Sequence, residues 1–284
     1  MLPLRIGKRV FEGRGPFLMG VVNVTPDSFS DGGLYARPQD AVARAFALAR
    51  DGADLVDVGG ESTRPGAEEV PPGEEAARVI PVIEELRSRG LEIPISVDTR
   101  KPEVARAALA SGADLVNDVS ALADPLMAEI VAGAGVPVVL VHMRGTPADM
   151  ASHARYADVV GEVERELAEA MARAVRLGVR EDRIILDPGL GFAKQARHSL
   201  ALLAALPRLA CLGRPLLVGP SRKSFIGAVT GAAVGERLPG TLAAVVACVL
   251  GGAEMLRVHD LREARQAAEV AAAIREAAPA PDAG

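Results

Sequence analysis

Short apolar runs in this chain end repeatedly on residues able to do chemistry. Asp57 sits in DLVDV, Asp98 follows IPISV, Asn117 sits in DLVND, and Asp187 follows RIIL. Lys223 stands just beyond PLLVGPS, and Arg257 and His259 lie in LRVHD. Acids and an amide on the floor of a pocket suit a ligand with several N–H donors and carbonyl acceptors, because every polar edge of a buried heterocycle must be satisfied. That describes a pterin or a purine. The cations Lys223 and Arg257, with His259 as a third candidate, suit an anion such as phosphate, together with Thr63 and Arg64 in a nearby loop. A phosphorylated heterocycle is the ligand class to which these residue types point. A single one of the acids could simply cap a helix or turn the chain, but that is a poor account of five strands together. The chain has no G-x-x-x-x-G-K-[ST] loop and no G-x-G-x-x-G after a strand, so GPSRKS and GLGF imply neither ATP nor NAD.

The elements that must position these residues are eight short runs, at residues 17–23, 54–60, 93–99, 114–120, 137–143, 183–189, 215–221 and 254–260. They lack polar alternation, as strands buried on both faces do. Between most of them lie alanine-rich segments with helical periodicity, including 40–50, 74–89 and 159–177. Strand–helix alternation repeated eight times predicts a single-domain (β/α)₈ TIM barrel over residues 1–276, with 277–284 as a disordered tail. DGADLVDV, SGADLVND and GGAEMLRV echo one another, each placing a helix-stopping glycine before a strand. Aligned on that repeat, Asp57, Asn117 and Arg257 are equivalent and lie near the carboxyl ends of their strands, the active face of such barrels. The loops VTPDSFSDGG and ESTRPGAEEVPPG are dense in Gly, Pro, Ser and Asp, which makes them candidate lids.

Composition narrows the partners. With 32 basic against 37 acidic residues and a net charge of -5, no basic stripe marks a nucleic-acid surface. Cys211 and Cys248 have no zinc spacing and are expected as buried thiols. The apolar stretch at 241–252 is too short to span a bilayer, and no secretory h-region is visible, so a cytoplasmic protein without a membrane partner is expected. The chain has only two Asn, at 23 and 117, and only four Lys. Where such residues survive, a substitute does not serve. His142, His153 and His198 show no metal spacing and are expected to be structural or superficial, whereas Lys101 and Lys194 are expected to make supporting contacts.

MGVVNVTPDSFSDGG (19–33) resembles the signature of the dihydropteroate synthases, in the pterin-binding barrel family. DVGGESTRPGA, SVDTRKPEVARAAL, NDVSAL, VHMRGTP, ILDPGLGFAK, SRKSFIG and LRVHDL resemble the same family in order, from about Phe17 to Arg275. The resemblance implies a (β/α)₈ barrel that joins 6-hydroxymethyl-7,8-dihydropterin diphosphate to 4-aminobenzoate, releasing diphosphate and 7,8-dihydropteroate. It implies that Asp98, Asn117 and Asp187 read the pterin edge, with Lys223 at its carbonyl side and Asp57 nearby. Arg257 lies against the pterin and reaches the diphosphate. Asn23, Thr63, Arg64 and His259 match diphosphate or magnesium contacts, and Ser224, Phe192 and Pro65 fall on the aminobenzoate side. Mg²⁺ as cofactor, with Asn23 as its protein contact, and a homodimer are further implications. Leu190, Ala193 and Pro220 depart from the usual family pattern without touching the pterin floor.

The chemistry so implied replaces diphosphate on a methylene attached to an electron-rich ring. Preorganised cations would stabilise the departing diphosphate, and Asp31 in the first loop could stabilise the pterin cation or orient the amine. The same implication makes the site a sulfonamide target, with the drug's extra ring projecting toward Phe29, Thr63 and Pro65. Two rivals differ in kind. A methyltetrahydrofolate-binding barrel would need neither the TRPG loop nor SRKS, and a non-catalytic paralogue would have no use for an intact VTPDSFSDGG.

Overall fold

The computed structural model describes residues 3–25 and 38–277. Asp31, Phe29 and most of the first glycine-rich loop lie outside the described residues, as does the tail beyond Ala277. Eight parallel strands form one sheet: β3 (Phe17–Asn23), β4 (Leu55–Gly59), β5 (Ile95–Asp98), β6 (Leu115–Asp118), β7 (Val138–Val141), β8 (Ile184–Asp187), β9 (Leu217–Val218) and β10 (Met255–Val258). Their order is β8-β7-β6-β5-β4-β3-β10-β9. A parallel bridge from Leu186 to Leu216, with Leu186 N–H donating to the Pro215 carbonyl at 2.9 Å, joins the two ends and closes the barrel. All eight expected strands are present, each within its expected run.

Period-two alternation sorts the strand residues into two cores. Leu18, Val56, Val97, Val116, Leu140, Leu186, Val218 and Leu256 face outward and are buried under the helices. Met19, Leu55, Leu115, Val139, Ile185, Leu217 and Met255 face inward and fill the lower barrel. Beneath them lies an element missed in the sequence, the hairpin β1 (Leu4–Ile6) and β2 (Arg9–Phe11), paired antiparallel across a turn that has Gly7 at φ +56°. Leu4, Ile6 and Phe11 plug the amino-terminal end of the barrel.

The helices are α1 (Pro38–Arg50), α2 (Pro72–Ser88), α3 (Pro102–Ala110), α4 (Pro125–Ala134), α5 (Val159–Arg176), α6 (Ala196–Ala204), α7 (Leu206–Ala210), α8 (Ser224–Thr230), α9 (Leu238–Leu250) and α10 (Leu261–Ala277). The expected ranges at 40–50, 74–89 and 159–177 agree to within two residues. Proline opens α2, α3 and α4, where its missing N–H costs nothing and its φ is already helical. Before α3 and α4 the strand-to-helix loops are short, running only over 99–101 and 119–124, which holds those strand ends in place above the filled barrel, whereas the loop before α2 is long.

Candidate active site at the carboxyl end of the barrel

One layer above the apolar plug, the inward positions become polar. Register pairs Asp57 with Ser96, Gly59 with Asp98 and Asp98 with Asn117. Gly59 lets the strands meet here, since a Cβ on it would lie 3.3 Å from the Asp98 Cβ. Arg257 reaches across from β10: its Nε donates to Asp57 Oδ2 at 2.6 Å and its Nη2 to Asp98 Oδ2 at 2.7 Å. Asn117 Nδ2 donates to the same Asp57 oxygen at 3.0 Å. Asp57, Asp98 and Asn117 are all buried, and the Oδ1 atom of each has no partner among the described residues. Each of the three thus carries an acceptor left over, of the kind that a donor-rich ligand would satisfy. Burial, helped by the neighbouring Asp57 and opposed by Arg257, pushes Asp98 up to about 7. Burial works against the Arg257 charge, but Asp57 and Asp98 outweigh it and hold the guanidinium protonated.

Asp187 ends β8, and its Oδ1 accepts from the Gly189 N–H at 2.7 Å. Burial raises it to about 6, opposed by that hydrogen bond and by Lys223. Burial also lowers Lys223 to about 8, against the pull of Asp187. The Lys223 ammonium sits 4.2 Å from the centroid of Phe192, so an aromatic wall and a cation border one space. Beneath this wall Lys194 is buried and donates to the Phe192 carbonyl at 3.0 Å and the His142 carbonyl at 3.1 Å, with His142 Nδ1 at 2.8 Å. His142 Nε2 lies 2.8 Å from Glu166 Oε2. The Lys194–His142–Glu166 chain ties the loop after β8 to β7 and α5. Sequence reasoning expected a supporting role for Lys194 and a structural His142, but did not join the two. Ala193 in that loop stands at φ +48°, a conformation that costs an alanine about 1 kcal/mol or more.

His259 was counted among the candidate cations. It is neutral instead, because burial together with Arg257 and Arg222 lowers it to about 3. Ser224 is exposed at the first turn of α8, next to Lys223. Asn23, at the end of β3, pairs in register with Gly59 and is half-buried. Among the described residues no group of His, Cys, Asp and Glu could by itself hold a metal ion.

The second loop rises from β4 beside this layer. Thr63 is half-buried there, and Arg64 and Pro65 are exposed, and among the described residues no hydrogen bond joins the Arg64 guanidinium to the polar layer. The base of the loop is anchored. Lys101, nearly fully buried, bonds Glu61 at 2.8 Å and also Glu75, while Arg100 pairs with Glu61 at 3.2 Å and Glu69 at 3.0 Å. Higher up, Gly66 N–H donates to the Pro147 carbonyl at 2.9 Å. The loop is therefore pinned at its root and at one point of its crest, with the cation of Arg64 left on the solvent side.

Comparison with known proteins agrees with this geometry. The family model described as "Pterin binding enzyme" matches residues 19–259. A dihydropteroate synthase of Synechocystis sp. is 45% identical over 275 residues, which are 96% of this chain and 95% of that protein. The dihydropteroate synthase of Xanthomonas albilineans solved with 4-aminobenzoic acid superposes with a TM-score of 0.90 at 48% identity, covering 98% of this chain and 99% of that one. Its complex with 7,8-dihydropteroate gives 0.87 at 45% identity, covering 98% and 100%.

Proposed function

The chain belongs to the dihydropteroate synthases of the pterin-binding enzyme family, and from that premise we propose how its residues divide the transfer of a dihydropterin-methyl group from diphosphate to 4-aminobenzoate. The observation that carries the reading is the row of buried, unpartnered acceptors on Asp57, Asp98 and Asn117, flanked by Arg257 and Lys223. Asp98, Asn117 and Asp187 accept from the N–H edge of the pterin, and Lys223 donates to its carbonyl. Asp57 holds the Arg257 side chain and the Asn117 amide in place. Arg257, whose charge Asp57 and Asp98 hold in place, lies along the ring and points its remaining donors toward the diphosphate, with Thr63, Arg64 and His259 on the same anion.

The bond between the pterin methylene and the diphosphate oxygen breaks with its electron pair on oxygen. The positive charge spreads into the ring. Preorganised donors at Arg257, His259 and the second loop stabilise the charge that gathers on diphosphate. The 4-aminobenzoate nitrogen then forms the new C–N bond and loses a proton. Phe192, Pro65 and Ser224 hold that substrate close to the carbon, a positioning effect worth about 7–11 kcal/mol in favourable cases. Burial of the floor excludes water, which would otherwise trap the cation.

Asn23 offers one neutral oxygen donor beside the diphosphate position. That fits magnesium, which keeps waters and leans on substrate phosphates more than on a protein cage. When bound, the ion would neutralise diphosphate charge. The protein acts in the cytoplasm as a homodimer. Exposed Val229, Val234, Leu250, Val270 and Ile274 on or between α8 and α10 support self-association. Both cysteines are free thiols, Cys248 buried as expected but Cys211 exposed, and among the described residues no helix is long and apolar enough to cross a membrane. Purified protein given both substrates should release diphosphate only when 4-aminobenzoate is present. Release at the same rate without it would refute the transfer.

A further inference from the structure

We infer that Ser221 is a positioning residue that fixes His259 in the tautomer carrying its proton on Nε2, so that the ring offers the diphosphate an N–H donor and not a lone pair. The inference rests on the reading above for the identity of the anion, but the geometry behind it does not. Ser221 follows β9 and is 5% exposed. The backbone N–H of His259 donates to Ser221 Oγ at 3.2 Å, and His259 Nδ1 lies 2.9 Å from the same oxygen.

A hydroxyl has one proton and two lone pairs. The backbone N–H can only donate, so it occupies a lone pair of Oγ and leaves the hydroxyl proton free for Nδ1. In that arrangement every buried atom is satisfied, and the ring proton sits on Nε2. The reverse arrangement, with Nδ1–H donating to Oγ, strands the hydroxyl proton in the interior, where no second acceptor for it is present among the described residues. It would also aim the Nε2 lone pair at a polyanion. Double protonation of the ring is opposed by burial and by Arg257, Arg222 and Lys223, with Asp260 alone working the other way.

Both partners are held by their own chains, so the pairing does not depend on the ligand. The His259 carbonyl accepts from Arg44 Nη2 at 2.5 Å. Next to Ser221, Arg222 stands at φ +58°, donates its backbone N–H to Thr241 Oγ1 at 3.0 Å and pairs through its side chain with Asp260 at 3.0 and 2.5 Å. The loops after β9 and β10 are thereby clamped together, and the serine hydroxyl faces the imidazole across the clamp. A donor oriented before the anion arrives has no reorganisation to undergo as charge develops.

The test uses ¹⁵N-histidine NMR on the full-length protein without substrates, with His259 assigned through His259→Gln among the four histidines. At pH 6 to 8, Nε2 should show the protonated shift and Nδ1 the unprotonated one. Ser221→Ala should move both toward averaged values, and Ser221→Thr, which keeps a hydroxyl, should restore them. In steady-state assays Ser221→Ala should cost about 5- to 10-fold in kcat/KM for the pterin diphosphate, the scale of one misdirected hydrogen bond, while KM for 4-aminobenzoate stays within about twofold. His259→Gln, whose amide reaches the Nε2 position, should retain more activity than His259→Asn. A wild-type ring protonated on Nδ1, or a Ser221→Ala variant with an unchanged tautomer and an unchanged pterin diphosphate kcat/KM, would overturn the inference. Because the tautomer is read without substrate, a protein that shows the expected ring state but no transfer would sink the functional reading alone.

Discussion

Replacing Asp98 with Asn should stabilise the free protein while removing much of its affinity for pterin. The carboxyl is 7% exposed and is raised from 3.8 to about 7, chiefly by burial. The folded state therefore holds a proton that the unfolded chain has released. Stability is greatest below the unfolded value near 3.8, falls as the pH rises between the two values, and is fully reduced above about 7. At 1.36 kcal/mol per pH unit, the penalty is on the order of 4 kcal/mol above pH 7 and less than half of that at pH 5. Asn escapes that penalty, which already counts the Arg257 attraction, and keeps a neutral acceptor for the bond that Arg257 Nη2 makes at 2.7 Å. The expected gain is on the order of a few kcal/mol at pH 8 and clearly smaller at pH 5. Urea unfolding of both proteins at the two pH values measures this, and calorimetric titration with a pterin should show about 10- to 100-fold weaker binding by Asp98→Asn. A variant less stable than wild type at pH 8, or one with unchanged pterin affinity, would refute the reasoning.

Lys223→Ala and Asp187→Ala should each weaken pterin binding by about 1–3 kcal/mol in titration calorimetry, since each leaves one ring edge unpaired. Because Lys223 is lowered to about 8, the wild-type affinity should fall as the pH rises through about 8, where the ammonium is lost, and Lys223→Ala should lack that limb. Lys194→Met leaves the Phe192 and His142 carbonyls unpaired and should raise KM for 4-aminobenzoate by about 10-fold, with a lower Tm; an unchanged KM would show that the chain under Phe192 does not shape that side. Ala193→Gly should raise stability by roughly 0.5–1 kcal/mol in urea, because glycine adopts the φ of +48° without strain. Sulfonamides should compete with 4-aminobenzoate, and substitutions at Thr63 or Pro65 should raise the inhibition constant more than the substrate KM; equal losses for drug and substrate would contradict a drug ring projecting past the substrate.

The barrel was legible because its strands are apolar on both faces and end on residues that apolar packing does not explain. Asp57, Asn117 and Arg257 could be placed at one end of the barrel from the repeat that precedes their strands, and Asp98 and Asp187 from their places at the ends of apolar runs. The scarcity of asparagine and lysine helped further, since Asn117, Lys101, Lys194 and Lys223 all stand in or beneath the site. The pairings were not legible. Arg257 meets Asp57 across 200 residues and Ser221 meets His259 across 38, and no local pattern encodes such partners. The β1–β2 plug escaped because two three-residue strands carry too few alternations to stand out from a polar start. The charge of His259 was misjudged for a related reason: composition records a histidine, whereas its neutrality comes from burial beside Arg257 and Arg222.

The most direct test of the account is a crystal structure of the protein with 7,8-dihydropteroate. The pterin N–H edge should fall within hydrogen-bond distance of Asp98 Oδ1, Asn117 Oδ1 and Asp187, with Lys223 at the ring carbonyl and the benzoate group extending between Phe192 and Ser224. A pterin ring seated away from these buried acceptors, with Asp98 and Asn117 still unpartnered, would contradict it.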